Sequence, residues 1–357
     1  DTILAIEPSS VRRAEVWAGT DDGVVQLTLD AGKHWRNVTP HVENAFGRFA
    51  SLSASKRDAG TLYAVYDTHM AGDRRPHVYV THDYGASWSD ISQGLPVEVE
   101  ARAVRVDPRN PQLVYAGLDN GLWASFDGGS HWRNLSLNLP AVAVRDIAVH
   151  PDANDLLLAT HGRAVYILDD VTPLQQWQQG HGDRLFAVSP AYQWNLHAYY
   201  ATHMDGQDQP YGAIVTYYLD RAQKKVSAEV FDAKGHAVRR FTSKDAAGQA
   251  GFNRLTWDTT EDKPADWKFT PPWNQGVSSG AAVVPGRYTF VLHEGSKTLR
   301  TPIVVEQDPR THYTLAQLRS GYASMHELMA DLARVNAKLN VLSTVINEAP
   351  VRAQGRP

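Results

Sequence analysis

One short turn recurs three times in this chain: TLDAGKHWRN from Thr28, THDYGASWSD from Thr81 and SFDGGSHWRN from Ser125. The shared order is Ser/Thr-x-Asp-x-Gly-x-x-Trp. Its chemistry is that of a tight hairpin: the carboxylates of Asp30, Asp83 and Asp127 can accept backbone N–H bonds within their own turns, and Gly32, Gly85 and Gly129 supply a positive φ that other residues resist. Trp35, Trp88 and Trp132 then open a following strand and pack as anchors. The three Asp positions lie 53 and 44 residues apart, close to the roughly 40 to 50 residues of one four-stranded propeller blade. Around the last copy the segments RAVRVDP, QLVYAGL, GLWASFD and HWRNLSL alternate at period two, as four half-buried strands should. Blades are therefore expected at about 1–40, 41–96, 97–140 and 141–170. A carboxylate needed in every blade serves the fold; one active site does not need it three times.

The fourth blade departs from the pattern. RDIAVH, DLLLAT and AVYILDD supply three strands, but VTPLQQWQQG follows where a turn and a Trp strand belong. Four blades with one incomplete are few for a ring of about 4 to 8. The expectation is that further blades of the same protein lie outside this chain.

The repeated turn resembles the Asp-box, or BNR, repeat of bacterial sialidases, sortilin-type receptors, xyloglucan-hydrolysing propellers and a photosystem II assembly factor. Large exported bacterial proteins, described as sortilin-like or glycosyl hydrolase BNR-repeat proteins, are similar over almost the whole chain. In that family THGR, a short apolar strand and LDD close the last propeller, and Thr160-His161-Gly162-Arg163 precedes AVYILDD here. A β-sandwich with LNR-x-x-WD and PG-x-Y segments follows, matched by FNRLTWD (Phe252 to Asp258, with Phe for Leu) and PGRY (Pro285 to Tyr288), and then a helical tail. The resemblance implies a periplasmic or secreted protein. It specifies architecture better than activity.

The expected fold is mainly β: propeller blades over 1–170, a linker over 171–211, an immunoglobulin-like sandwich over 212–308 and a helical tail over 309–357. In the sandwich, DAKGH marks a hairpin, and the Trp-rich stretch containing Trp267 and Trp273 is a surface loop that either covers the sandwich edge or stacks on sugar. From Thr314, a candidate cap, the apolar residues Leu318, Tyr322, Met325, Met329, Leu332, Leu339 and Ile346 recur at helical steps. That stripe packs on the protein itself or pairs with another helix.

Within a blade the third-to-fourth-strand turns lie on one face, and the starts of innermost strands lie on the other. Arg48, Arg102 and Arg145 open the innermost strands of three successive blades, and His161, Arg163, Arg74 and Arg75 fall in loops on the same face. Such a ring suits a carboxylate, sulfate or phosphate, which guanidinium groups grip bidentately. The alternative is that each Arg pairs with an Asp or a carbonyl of its neighbouring blade and holds the ring together. A net charge of −4 without a strongly basic segment gives no nucleic-acid footprint. The absence of Cys excludes disulfides and thiolate chemistry, no apolar run is long enough for a membrane span, and no metal or cofactor is expected.

Two functions remain. The first is an exported propeller binding a glycan, peptide or protein partner, of which an acidic glycan or peptide fits best, through its arginine-bearing face. The second is a glycoside hydrolase, sialidase-like or xyloglucanase-like, with part of its active site in the absent blades. A glycosidase requires two carboxyl groups flanking one bond; Asp73, Glu98, Glu100, Asp119 and Asp146 are the acids on this face, and the sequence singles out no pair.

Overall fold

The computed structural model describes residues 2–42, 46–177, 182–195, 209–270 and 276–354. The chain divides into two compact units, Asp1–Gln179 and Gly180–Pro357.

The first unit consists of four consecutive antiparallel sheets. The first contains β1 (Ile3–Pro8), β2 (Val16–Thr20), β3 (Val25–Thr28) and β4 (Arg36–Asn37). The second contains β5 (Arg48–Ala54), β6 (Leu62–Asp67), β7 (Val78–Thr81) and β8 (Ser89–Asp90). The third contains β9 (Ala101–Val106), β10 (Val114–Leu118), β11 (Gly121–Ser125) and β12 (Trp132–Asn134). The fourth has three strands, β13 (Val144–Val149), β14 (Leu156–Thr160) and β15 (Val165–Leu168). Strands follow one another in each sheet without crossover, as in propeller blades.

Adjacent sheets share apolar cores. Trp17, Leu27, Phe49 and Leu62 fill the space between the first and second sheets. Val65, Val80, Val104 and Trp132 lie in the next core, and Tyr115, Leu122, Ile147 and Leu158 in the last. The VWAG and VYAG segments place Gly19 and Gly117 in second strands where the next blade comes closest: a Cβ would fall 2.6 Å from the Phe49 carbonyl oxygen at one and 2.7 Å from that of Val144 at the other. Backbone cannot yield cheaply there.

The recurring turn has the same wiring in all three copies. Asp30 Oδ1 accepts from the Thr28 hydroxyl and the His34 N–H, both at 2.9 Å, and the Gly32 N–H donates to Thr28 Oγ1 at 2.9 Å. Asp83 with Thr81, Ser87 and Gly85 repeats this, as does Asp127 with Ser125, His131 and Gly129. The Trp does more than clasp its own hairpin. Trp88 donates to the Val38 carbonyl at 2.8 Å and Trp132 to the Ile91 carbonyl at 2.7 Å, each in the segment following the fourth strand of the preceding blade. Trp35 has no preceding sheet among the described residues and is 46% exposed. The anchor is an interblade fastening, so the first copy is exposed where an anchor within the blade was expected.

After β15 comes a short helix, α1 (Thr172–Gln175). Gln175 donates to both carboxylate oxygens of Asp107 and to Asn154 Oδ1, so this segment is tied to the third and fourth blades.

The second unit has a sheet of three strands, β16 (Arg184–Leu185), β18 (Ala213–Leu219) and β21 (Gly251–Trp257). A sheet of five contains β17 (Ala191–Gln193), β23 (Lys297–Gln307), β22 (Gly286–Glu294), β19 (Val226–Phe231) and β20 (Ala237–Phe241), in that order. Val215, Tyr217 and Trp257 from one sheet and Val230, Phe290 and Ile303 from the other share one core. The segment 171–211, expected as a linker, holds β16 and β17 and so contributes to both sheets. β17 runs parallel to β23.

The helical tail is a single helix, α2 (Leu315–Gln354). Thr314 and Gln317 form a reciprocal cap: the Thr314 N–H donates to Gln317 Oε1 at 2.8 Å, and the Gln317 N–H to Thr314 Oγ1 at 3.3 Å. Trp267 donates to Ser343 Oγ at 3.0 Å, and Asn336 and Asn340 bond the neighbouring backbone at Ala265, Asp266 and Lys268. Trp267 is thus fastened to α2, which leaves its indole N–H engaged. Trp273 lies outside the described residues.

Candidate functional site

Antiparallel register brings the start of each innermost strand beside the end of the second strand. Arg48 is therefore the cross-strand partner of Asp67, and its Nε and Nη2 lie 3.1 and 3.0 Å from Asp67 Oδ2. Arg102 holds Asp119, just past β10, with a two-pronged grip at 2.8 Å on each oxygen. Its Nη1 also crosses to Asp67 Oδ2 of the preceding blade at 3.0 Å, and its Nη2 bonds Glu100. The Arg102 side chain is 7% exposed. It is a strut between two blades, surrounded by three carboxylates, and its fork has no donor directed to a ligand. The reading of Arg102 as a ligand-binding residue is corrected accordingly.

The other residues expected at the site divide into two groups. Arg75 is held by Asp73 at 2.9 Å, which also binds His77. Arg74 is exposed, with its Nε 3.8 Å from Glu100. A turn of 3-10 helix, His69–Ala71, brings His69 Nδ1 within 2.6 Å of Asp67. In the fourth blade the pattern breaks. The position taken by Asp67 and Asp119 in the preceding blades is filled by His161, whose N–H bonds the Ala143 carbonyl at 2.9 Å. Arg145, at the start of β13, has no hydrogen bond or ion pair among the described residues and is exposed, as is Arg163 in the adjoining loop. The structure thus brings Arg145, His161 and Arg163 together at one end of one sheet.

The sequence did not single out the carboxyl pair Glu100–Asp119. The two accept from one and the same nitrogen, Arg102 Nη2. Burial pushes the Glu100 carboxyl up, and although Arg102 opposes this, the Asp119 charge and hydrogen bond reinforce it. Burial acts on Asp119 in the same direction but is outweighed by the Arg102 hydrogen bonds and charge, then by Glu100 and by the Arg145 charge; its carboxyl stays below the usual range. Asp67 is likewise held low: the hydrogen bonds of His69 and Arg48 and the charge of Arg102 overcome its burial. Of the two, Asp119 ionises first and Glu100 holds its proton to higher pH. Two carboxyls gripped by one guanidinium nitrogen leave no gap for a scissile sugar bond, so this pair lacks the spacing of a glycosidase dyad.

Stability of this junction depends on pH with opposite signs at the two acids. Asp119 contributes above its unfolded value and loses that contribution as pH falls. Glu100, with its raised value, contributes below its unfolded value and loses it as pH rises through the folded one. Glu100→Gln keeps a donor toward Asp119 without a titrating proton. Its stability at pH 6 is expected to stay within about 0.5 kcal/mol of wild type, with a flatter profile toward pH 9. Asp119→Asn loses the charged grip and should cost about 2 kcal/mol. Urea melts at pH 6 and 9 check both, and equal losses in the two variants would contradict this order of ionisation.

No family model matches the chain. It is similar to the oligoxyloglucan-reducing end-specific xyloglucanase of Emericella nidulans, 22% identical over 181 residues, which is 45% of this chain and 22% of that enzyme. The chain thus spans about a fifth of the length of that curated relative. Among solved structures, YCF48 bound to D1 peptide has a TM-score of 0.37 at 15% identity, covering 84% of this chain and 80% of that one. A GH74 xyloglucanase from Xanthomonas campestris has a TM-score of 0.40 at 15% identity, covering 85% of this chain and 44% of that one. At these levels the likenesses assign the chain neither an activity nor a ligand.

Proposed function

We propose that the propeller unit is a binding module that takes an acidic group, the carboxylate of a glycan or peptide, at the fourth-blade end of its arginine-bearing face. The observation that carries this is the broken repeat. Arg48 and Arg102 each hold a carboxylate at the end of the second strand, whereas in the fourth blade His161 takes that place and Arg145 and Arg163 are both exposed. Arg145 reaches Asp119 by its charge but makes no hydrogen bond among the described residues, so its fork is available for an external anion, and charge-assisted bonds to such a group contribute roughly 1.5 to 3 kcal/mol each.

The unit is read as part of a longer Asp-box propeller of an exported, sortilin-like protein. Among the described residues Trp35 has no neighbour to fasten to, and Ile3, Ile6, Val165 and Ile167 expose apolar side chains on the first and last sheets, as surfaces awaiting further blades would. The second unit is read as an immunoglobulin-like accessory sandwich, on the strength of two sheets around one core.

The test is a glycan array carrying sialylated and uronic-acid oligosaccharides, together with an acidic peptide array, probed with wild type and with Arg145→Gln/Arg163→Gln. The double variant should bind an acidic ligand more than about tenfold more weakly with an unchanged melting curve. Release of reducing ends from an oligosaccharide by the wild-type protein would establish the glycoside hydrolase reading instead.

A further inference from the structure

The 40 residues of α2 carry more apolar side chains than the second unit covers. Written in sevens, Met325, Leu332, Leu339 and Ile346 occupy one position and Leu328, Val335 and Leu342 another, alternating at steps of three and four. This is the a/d pattern of a coiled coil, whose period of 3.5 differs from the 3.6 of a helix lying on a globular core. The d residues Leu328, Val335 and Leu342 are between 52% and 57% exposed, as are, at 43% and 60%, the end a residues Met325 and Ile346. The seam extends about 33 Å.

The flanking positions indicate what covers it. Tyr322, Asn336 and Ser343, at e, and His326 and Asn340, at b, are bonded to Glu261 and the 265–268 segment of the same chain. The g residues Asp331 and Lys338 lie on the open flank and are exposed, and Asp331 is ion-paired there with Arg334 of its own helix. In a parallel pair each g meets an e, where only Asn336 and Ser343 stand, both engaged. In an antiparallel pair each g meets a g. The register that stacks Leu332 on Val335 of a second copy, and Met325 on Leu342, sets Asp331 opposite Lys338 twice over.

We propose that α2 pairs through Met325–Ile346 with α2 of a second copy of this chain, antiparallel, making the protein a dimer. The apolar seam supplies the association and the two Asp331–Lys338 pairs select the partner and its direction.

Sedimentation velocity on the full chain, from about 1 to 200 μM, tests this. Wild type should associate to a dimer, and Val335→Asp/Leu342→Asp should be monomeric with unchanged helical circular dichroism. Asp331→Lys and Lys338→Asp should each raise the dimer dissociation constant more than about tenfold. The combined exchange D331K/K338D should restore it, and an equimolar mixture of the two single variants should form a mixed dimer. A wild-type protein that stays monomeric throughout overturns the proposal, including the case in which another part of the same polypeptide covers the seam. A dimer that survives the two seam Asp substitutions, or one indifferent to the charge exchanges, overturns it equally.

Discussion

Replacing Arg102 with Met is expected to lower the stability of the propeller unit by about 3 to 5 kcal/mol at pH 7. The Met side chain fills similar space, so lost volume is not the cause. What remains is Asp67, Glu100 and Asp119 around one point, each accepting from Arg102 in the wild type, with the guanidinium that offset their charges gone. Arg48 still holds Asp67, and Glu100, pushed up by burial, takes up a proton more readily than Asp119, which places the cost nearer the lower end of the range. The loss should shrink below about pH 4, because protonating Asp67 and Asp119 removes the uncompensated charge. Arg145→Met is the contrasting control: an exposed side chain without an ion pair should change stability by less than about 0.5 kcal/mol. Chemical denaturation at pH 7 and pH 4 measures all three proteins. An Arg102→Met variant as stable as wild type at pH 7 would show that the guanidinium is not an interblade strut.

The run of four antiparallel sheets in the first unit is legible in the sequence, since each of the first three ends on the same turn. Arg48, Arg102 and Arg145 are also legible as the starts of innermost strands, although register makes only Arg102 and Arg145 equivalent, both at a bulge where the second blade has Ala50. Their different fates are not, because these depend on residues about twenty positions away that only register brings alongside. The signal was nevertheless present: the second strands end in Asp67, Asp119 and His161, and reading those ends beside the Arg starts gives two pairs and one exception. Trp35 is hidden for another reason. Its partner would be the preceding blade, and no local pattern shows whether such a neighbour exists. β16 and β17 are two and three residues long, too short for any periodicity, and β17 is ordered by a parallel partner more than a hundred residues later. A stretch of that kind has the composition of a linker and takes its structure from elsewhere in the chain.

In the second unit, Trp257→Ala is expected to cost about 3 to 5 kcal/mol. Trp257 ends β21 with no solvent exposure, packs edge-on to Tyr288 with ring centroids 5.2 Å apart, and donates its indole N–H to the Thr260 carbonyl at 2.8 Å. It contributes from the three-stranded sheet to a core shared with the five-stranded one, so truncation opens a void between sheets that backbone shifts can close only by separating strands. The backbone next to it has little room to move: a Cβ on Gly212 would lie 2.1 Å from the Trp257 carbonyl oxygen. Trp257→Phe separates packing from hydrogen bonding. The phenyl ring retains most of the buried area and leaves the Thr260 carbonyl without its donor, for an expected loss of about 1 to 2 kcal/mol. Amide hydrogen exchange along β18, β21 and β22 locates the effect: protection should fall across all three strands in the Ala variant and mainly around Thr260 in the Phe variant. Equal losses in the two variants would place the contribution of Trp257 in its N–H, and a core that tolerates Ala within about 1 kcal/mol would mean that the two sheets close over the void without it.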